Sequence, residues 1–158
     1  MTQTDSEHVH HVDVVIMGAG LVGTALALSL KDASISIALI DGQVSTHLQT
    51  KVSASDCVDD FQPRVSALTL ASHDLLSNMG IWDEIDPRQL MPYQKMHVWD
   101  QLGSASINFD AAELYCDALG FIVENQTLVS SLHDRVSHQA NLSHYFGCSL
   151  ESIKPSLD

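Results

Sequence analysis

A short glycine-rich segment, Gly18-Ala19-Gly20-Leu21-Val22-Gly23, constrains the fold of this chain more than any other feature. The run that precedes it, Asp13–Met17, is rich in β-branched residues, as is typical of a strand buried in a parallel sheet. The residues that follow, Leu21–Leu30, have a helical pattern, and a second apolar run, Ile35–Ile40, ends at Asp41. This order of strand, tight turn, helix and strand predicts an α/β fold that begins with a βαβ unit.

The spacing of the three glycines is that of a dinucleotide-binding turn. Gly18 would permit the tight turn, Gly20 would let a pyrophosphate approach the backbone, and Gly23 would let helix and strand pack closely. The N-terminus of the helix would present free N–H groups to the pyrophosphate. An acid at the end of the second strand accepts hydrogen bonds from the adenosine ribose. We therefore predict a Rossmann-like site formed by Gly18, Ala19, Gly20, Leu21, Val22, Gly23 and Asp41, without distinguishing FAD from NAD.

Composition and charge exclude several other functions. The 158 residues are 45% hydrophobic and 17% charged, which fits one globular domain. The net charge of −13 argues against a nucleic-acid partner, which would require a basic surface. Three widely spaced cysteines predict a reducing, cytoplasmic setting. No set of histidines, cysteines and carboxylates has metal-ligand spacing, so we expect no metal site.

The remaining elements are predicted from local patterns. Residues 1–11 lack the basic start of a signal peptide and are expected to form a disordered tail, while residues 12–158 form the domain. Residues 42–63 are polar and without a period, which indicates a long loop. A helix is predicted to begin at Ser66 as its N-cap. Further predicted elements are an antiparallel hairpin of Lys95–Trp99 and Ala105–Phe109, an extended segment Phe121–Val123, a helix Asn125–His138 and a strand within Leu142–Ile153.

Arg64 is one of only seven basic residues and follows the long polar loop. An arginine at such a position can neutralise a pyrophosphate or orient an aromatic substrate. An ordinary surface ion pair is the alternative that the residues alone leave open.

Three segments form a combination much more specific than the glycine motif: Asp13–Asp41, Arg64–Leu68 (RVSAL) and Leu119–Asn125 (LGFIVEN). Together they resemble the flavin-dependent hydroxylases of ubiquinone biosynthesis, within the aromatic hydroxylase family that resembles p-hydroxybenzoate hydroxylase. A further segment, Phe109–Leu114, is similar to the branch that hydroxylates the demethoxy-quinol. The resemblance implies a Rossmann-like FAD-binding fold in which a small antiparallel insertion accompanies the parallel sheet.

The resemblance also implies the chemistry. FAD would be held by the glycine turn, with Asp41 on the adenosine ribose, Arg64 beside the flavin and pyrophosphate, and Asn125 in contact with the cofactor. NAD(P)H would supply electrons, and O2 would supply the oxygen placed on a polyprenyl phenol or quinol. Because the cofactor carries the reaction, no catalytic side chain is assigned. Peripheral association with the inner membrane and with a quinone-biosynthesis complex is implied in the same way.

That family has two further flavin motifs, Asp-Gly and Gly-Asp, which come after the LGFIVEN segment. Neither follows that segment here, where the only glycine is Gly147. We therefore expect a truncated hydroxylase that lacks the C-terminal half of the FAD domain and most of the substrate domain. Such a fragment should expose apolar surface around Met17, Ile40 and Val123 and should self-associate. Two alternatives stay open: an NAD-linked dehydrogenase domain that shares only the glycine motif, and a non-catalytic remnant of a flavoprotein.

Overall fold

The computed structural model describes residues 9–43 and 64–155. Most of the predicted tail and of the predicted 42–63 loop lies outside the described residues. The helices are α1 (Leu21–Ser29), α2 (Leu70–Asn78) and α3 (Asn125–Val136), with 3-10 turns at Trp82–Glu84, Pro87–Gln89 and Ala111–Leu114. The strands are β1 (Val14–Met17), β2 (Ile37–Asp41), β3 (Val65–Thr69), β4 (Leu90–Tyr93), β5 (Lys95–Trp99), β6 (Ser106–Asp110), β7 (Gly120–Glu124) and β8 (Leu142–Phe146).

A parallel sheet in the order β1-β2-β8 forms the first layer. Val14 of β1 lies opposite Ile37 of β2, and Ile37 lies opposite Leu142 of β8. The βαβ unit predicted from the glycine turn and its flanking runs is therefore confirmed. Ile37 and Leu39 are fully buried because β2 lies between two strands and below α1.

Two antiparallel sheets form the predicted insertion. The first has the order β3-β7-β4, with Val65 opposite Glu124 and Leu90 opposite Val123. The second is the β5–β6 hairpin, which confirms the predicted pair of strands. The fold is thus an α/β arrangement of a parallel sheet with added antiparallel strands.

The prediction of a helix beginning at Ser66 is wrong. Val65–Thr69 is a strand, and α2 begins at Leu70. The helix is capped by Thr69, whose Oγ1 accepts a hydrogen bond from the Ser72 N–H at 3.3 Å. Pairing with β7 decides the conformation of this segment, since strand preference depends on the neighbouring strand as much as on the residues themselves.

Strand β4 is not among the predicted elements, and its third residue is Pro92, a residue that is unfavourable in a central strand. The structure places β4 at the edge of its sheet, against β7 alone, and edge strands tolerate proline.

One continuous apolar core joins the parallel sheet, the three helices and the centre of β7. Its fully buried members include Ile37, Leu39, Ile81, Val123, Leu128, Leu132 and Val136. Met17 is half exposed and Ile40 is partly exposed, as expected. The expectation for Val123 is wrong: it is buried because β7 is the central strand of its sheet. Within residues 9–43 and 64–155, no helix is long and apolar enough to cross a membrane.

The turn between α1 and β2 is held by Asn141, which immediately precedes β8. Its Nδ2 lies 3.0–3.2 Å from the carbonyl oxygens of Leu30, Ala33 and Ile35. The backbone carbonyl oxygen of Asn141 accepts a hydrogen bond from the Ile37 N–H at 2.9 Å. Asn141 therefore fixes the βαβ unit against β8, the strand that completes the sheet.

Candidate cofactor site

An open cleft of about 610 Å³ lies at the carboxyl end of β1. Its walls are formed by Met17, Gly18, Gly20, Leu21, Val22, Gly23, Arg64, Ser66, Asn125, Gln126 and Val129. The structure thus brings the glycine turn together with Arg64 and Asn125, which are distant in the sequence. Ligands of open parallel sheets bind outside the carboxyl ends of the strands, which is where this cleft lies.

The glycine turn has the geometry that its spacing predicts. Gly18 has a φ of +98°, a conformation that favours glycine. A Cβ on Gly23 would collide with the Gly18 carbonyl oxygen and lie 3.3 Å from Ile16 Cγ2, so helix and strand are in backbone contact there. A Cβ on Gly20 would meet nothing within 4 Å. The turn therefore leaves open space beside Gly20, into which a ligand can approach the main chain.

The N-terminus of α1 offers backbone donors to the cleft. Gly20 is the N-cap, and no side chain of the described residues caps this end. The first intrahelical bond is from the Thr24 N–H to the Gly20 carbonyl oxygen at 3.0 Å, which leaves the N–H groups of Leu21, Val22 and Gly23 outside the helical ladder. The first turn carries no acidic side chain. These donors and the helix dipole suit an anion.

Asp41 lies at the last position of β2, as predicted, and contacts the glycine turn directly. Its Oδ2 accepts a hydrogen bond from the Ala19 N–H at 2.6 Å, and its Oδ1 accepts one from the Gln43 N–H at 2.8 Å. The neighbouring Gly18 N–H donates to the Ile40 carbonyl oxygen at 2.8 Å. Asp41 is absent from the walls of the cleft, but its Oδ2 supports the loop that forms those walls.

Arg64 and Asn125 approach the cleft from the antiparallel sheet. The Asn125 N–H donates to the Arg64 carbonyl oxygen at 3.1 Å, which joins the start of α3 to the residue preceding β3. Ser66 Oγ donates to Asn125 Oδ1 at 2.6 Å. This side chain therefore has its oxygen engaged, and its Nδ2 group is the donor it can offer to a ligand.

Several residues near the site were missed from the sequence. Ser66 and Gln126 line the cleft, but the interpretation of Ser66 as a helix cap hides its position on a strand. His133 of α3 is buried, with Nε2 2.6 Å from the Ala19 carbonyl oxygen. No local pattern signals that contact, because the two residues meet only when α3 packs on α1.

Metal binding has no support in the described part of the chain. No group of three or more histidines, cysteines and carboxylates comes together in residues 9–43 and 64–155. Cys116 and Cys148 are free, exposed thiols, and Cys57 lies outside the described residues.

The solved structures that resemble this chain include FAD-dependent monooxygenases. PqsL of Pseudomonas aeruginosa, described as a probable FAD-dependent monooxygenase, matches with a TM-score of 0.64 over 94% of this chain and 36% of its own, at 16% identity. The p-nitrophenol 4-monooxygenase PnpA of Pseudomonas putida matches with a TM-score of 0.60 over 90% of this chain and 33% of its own, also at 16% identity. The chain is therefore an α/β unit with the fold of FAD-dependent monooxygenases.

Sequence comparison narrows this class. The 3-demethoxyubiquinol 3-hydroxylase of Escherichia coli is 34% identical over 120 residues, which cover 76% of this chain and 29% of the relative. The ubiquinone biosynthesis monooxygenase COQ6 of Xenopus tropicalis, a mitochondrial protein, is 36% identical over 130 residues, covering 76% and 25%. No family model matches. The chain is a homologue of the ubiquinone-biosynthesis hydroxylases, and it spans less than a third of the length of these relatives.

Proposed function

We propose that this chain forms the FAD-binding part of a monooxygenase that hydroxylates a polyprenyl phenol or quinol in ubiquinone biosynthesis. The observation that carries the proposal is the cleft in which the glycine turn, the N-terminus of α1, Arg64 and Asn125 converge. Homology to the ubiquinone-biosynthesis hydroxylases supports the substrate class.

The residues of the cleft suit the parts of FAD. We propose that the pyrophosphate binds the free N–H groups at the start of α1, beside Gly20, where the open space admits it. Arg64 would add a positive charge with a planar set of donors. Asp41, adjacent to the turn, would accept hydrogen bonds from the ribose hydroxyls, and Asn125 Nδ2 would donate to the cofactor.

FAD, when bound, supplies the redox and oxygen chemistry, with NAD(P)H as the proposed electron donor and O2 as the oxygen source. The chain's own residues bind and orient the cofactor, and none is assigned a proton transfer.

A polyprenyl substrate partitions into lipid, so we also propose that the enzyme works peripherally at the inner membrane, within a quinone-biosynthesis complex.

The cleft is open, and the chain spans less than a third of its curated relatives. We propose that hydroxylation needs further walls around the flavin ring to exclude water, supplied by the parts of the family's sequence that this chain does not span. The 158 residues by themselves would bind FAD weakly. The half-exposed Met17 and Val15 of β1 would favour self-association.

The test is a titration of the purified chain with FAD, followed by quenching of flavin fluorescence, with NAD as competitor. We expect saturable FAD binding that NAD at equal concentration does not displace. Preference for NAD would favour a dehydrogenase domain, and absence of binding to either would favour a non-catalytic remnant. The variant Gly20→Val serves as the control, because its side chain would occupy the ligand's space.

A further inference from the structure

His133 lies on α3, behind the part of that helix that lines the cleft, and is itself absent from the walls of the cleft. Its side chain is 5% exposed, and its Nε2 lies 2.6 Å from the carbonyl oxygen of Ala19. Thr24 Oγ1 donates to the same oxygen at 3.0 Å. Because a carbonyl oxygen can only accept, the imidazole must carry its proton on Nε2 and donate it.

The other ring nitrogen of His133, Nδ1, is buried without a hydrogen-bond partner among the described residues, which destabilises the fold. The ring stacks on Phe146 of β8, with centroids 6.0 Å apart and an angle of 17° between the planes. A buried nitrogen without a partner is destabilising, so an apolar side chain would fill this position more cheaply if packing were its only role. The one polar contact of the ring that the structure gives is to the turn.

That contact determines which way the next peptide group points. The Ala19 carbonyl and the Gly20 N–H belong to one peptide unit, and the described chain has no cis peptide bond. In a planar trans peptide the C=O and N–H bonds point in opposite directions. With the carbonyl held by His133 and Thr24 in the interior, the Gly20 N–H points away from those two side chains, and Gly20 itself lines the cleft.

The other end of Ala19 is held as well. Its N–H donates to Asp41 Oδ2 at 2.6 Å, and the residue is buried. Both backbone groups of Ala19 are therefore fixed, one by a carboxylate on β2 and the other by an imidazole on α3. Two donors on the Ala19 carbonyl also polarise its peptide unit, which makes the Gly20 N–H a stronger donor.

We propose that His133 is a positioning residue that orients the Gly20 N–H for a phosphate oxygen of the bound dinucleotide. This inference rests on the proposed FAD site and names the residue behind the turn that prepares it. His133 does not contact the ligand; it acts through the Ala19–Gly20 peptide.

Two substitutions at His133 test the proposal. His133→Leu keeps an apolar filling but removes the donor, and we expect it to weaken FAD binding about tenfold, the effect of one hydrogen bond to a charged group. His133→Gln retains an N–H donor of similar reach and should restore binding to within about threefold of the original chain. The control is His138→Leu, the same change at an exposed histidine just beyond α3, which should leave binding unchanged.

NMR of the ligand-free chain, observing both the imidazole nitrogens and the backbone amides, supplies a second readout. In the original chain, the imidazole nitrogens of His133 should show the Nε2–H tautomer, and the Gly20 amide proton should move upfield in His133→Leu but not in His133→Gln. Equal loss of FAD affinity in the Leu and Gln variants would overturn the proposal, as would full affinity in the Leu variant. If the original chain binds no FAD, the proposed function fails on that result, and the role of His133 is then decided by the tautomer and the Gly20 shift.

Discussion

The carboxylate of Asp41 and the backbone N–H of Ala19 are joined by a 2.6 Å hydrogen bond between the end of β2 and the glycine turn. The acid expected to bind the ribose is therefore also a support of the loop expected to bind the pyrophosphate. One side chain connects the two halves of the proposed adenosine diphosphate site.

Replacement of Asp41 should consequently affect FAD binding twice. In Asp41→Ala, both the ribose acceptor and the support of Ala19 are lost, and we expect at least tenfold weaker binding, consistent with the loss of charge-assisted hydrogen bonds. Fluorescence titration with FAD measures the change. Asp32→Ala, an exposed acid in the turn after α1, is the matched control. Undiminished affinity in Asp41→Ala would contradict the assignment.

Gly20→Val should abolish FAD binding while leaving the fold intact. Gly20 has a φ of −78°, which other residues adopt, and a Cβ there meets no atom of the described residues within 4 Å. The new side chain therefore fills only the space of the ligand, and the free energy of unfolding should fall by about 1 kcal/mol or less. Thermal unfolding and FAD titration of the same sample check both parts; a variant that still binds FAD would place the cofactor elsewhere.

Gly23→Ala, unlike Gly20→Val, should destabilise the fold. Its Cβ would collide with the Gly18 carbonyl oxygen, so α1 must move away from β1. We expect a loss of about 1–3 kcal/mol in the free energy of unfolding, as is typical of overpacking, which corresponds to a fall in Tm of several degrees for a chain of this size. Calorimetry compares it with Gly42→Ala, where the nearest atom lies 3.9 Å from the new Cβ. An unchanged Tm would mean that helix and strand are not in the close contact described.

Arg64→Ala should weaken FAD binding about 10- to 100-fold, because a guanidinium on a phosphate makes charge-assisted hydrogen bonds. The affinity of the original chain should fall with added salt, and that of the variant should fall less. Arg88→Ala is the control, since Arg88 forms an exposed ion pair with Asp86 at 2.8 Å and is absent from the cleft. Equal effects of the two substitutions would indicate a nonspecific charge effect.

Asp13 makes the stability of the βαβ unit sensitive to acid. Hydrogen bonds from the Ser36 N–H and hydroxyl, both 2.7 Å from Asp13 Oδ2, hold the pKa of this carboxyl below its ordinary value of 3.8. A carboxyl whose pKa is lowered by folding stabilises the fold above its unfolded pKa, and this contribution is lost as the pH falls through the folded pKa. Asp13→Asn should therefore lower Tm at neutral pH, and the difference from the original chain should shrink below about pH 4. A difference that is constant with pH would contradict the role of the charge.

The sequence predicts the βαβ unit well because its signals are local. The β-branched run before Gly18, the apolar run that ends at Asp41 and the spacing of the glycines each report on a few neighbouring residues. The parallel pairing of β1 and β2 follows from their connection through a helix.

The sequence does not predict two of the residues that surround the glycine turn from other parts of the chain. Ser66 lies on a strand because β7 pairs with it, and β7 is more than fifty residues further along the chain. His133 meets Ala19 across 114 residues. No periodicity within either segment encodes such contacts, so the local pattern predicts a helix in place of the strand and does not reveal the contact of His133 with Ala19.

The pairing of β2 with β8 has a consequence for how this protein is made. Ile37 and Leu142 face each other although about a hundred residues separate them, so the middle strand of the parallel sheet has no second neighbour until those residues have left the ribosome. Until then, one edge of β2 has no partner, and closing so long a loop is slow. During synthesis we therefore expect this unpaired strand edge to be the part of the chain most exposed to aggregation.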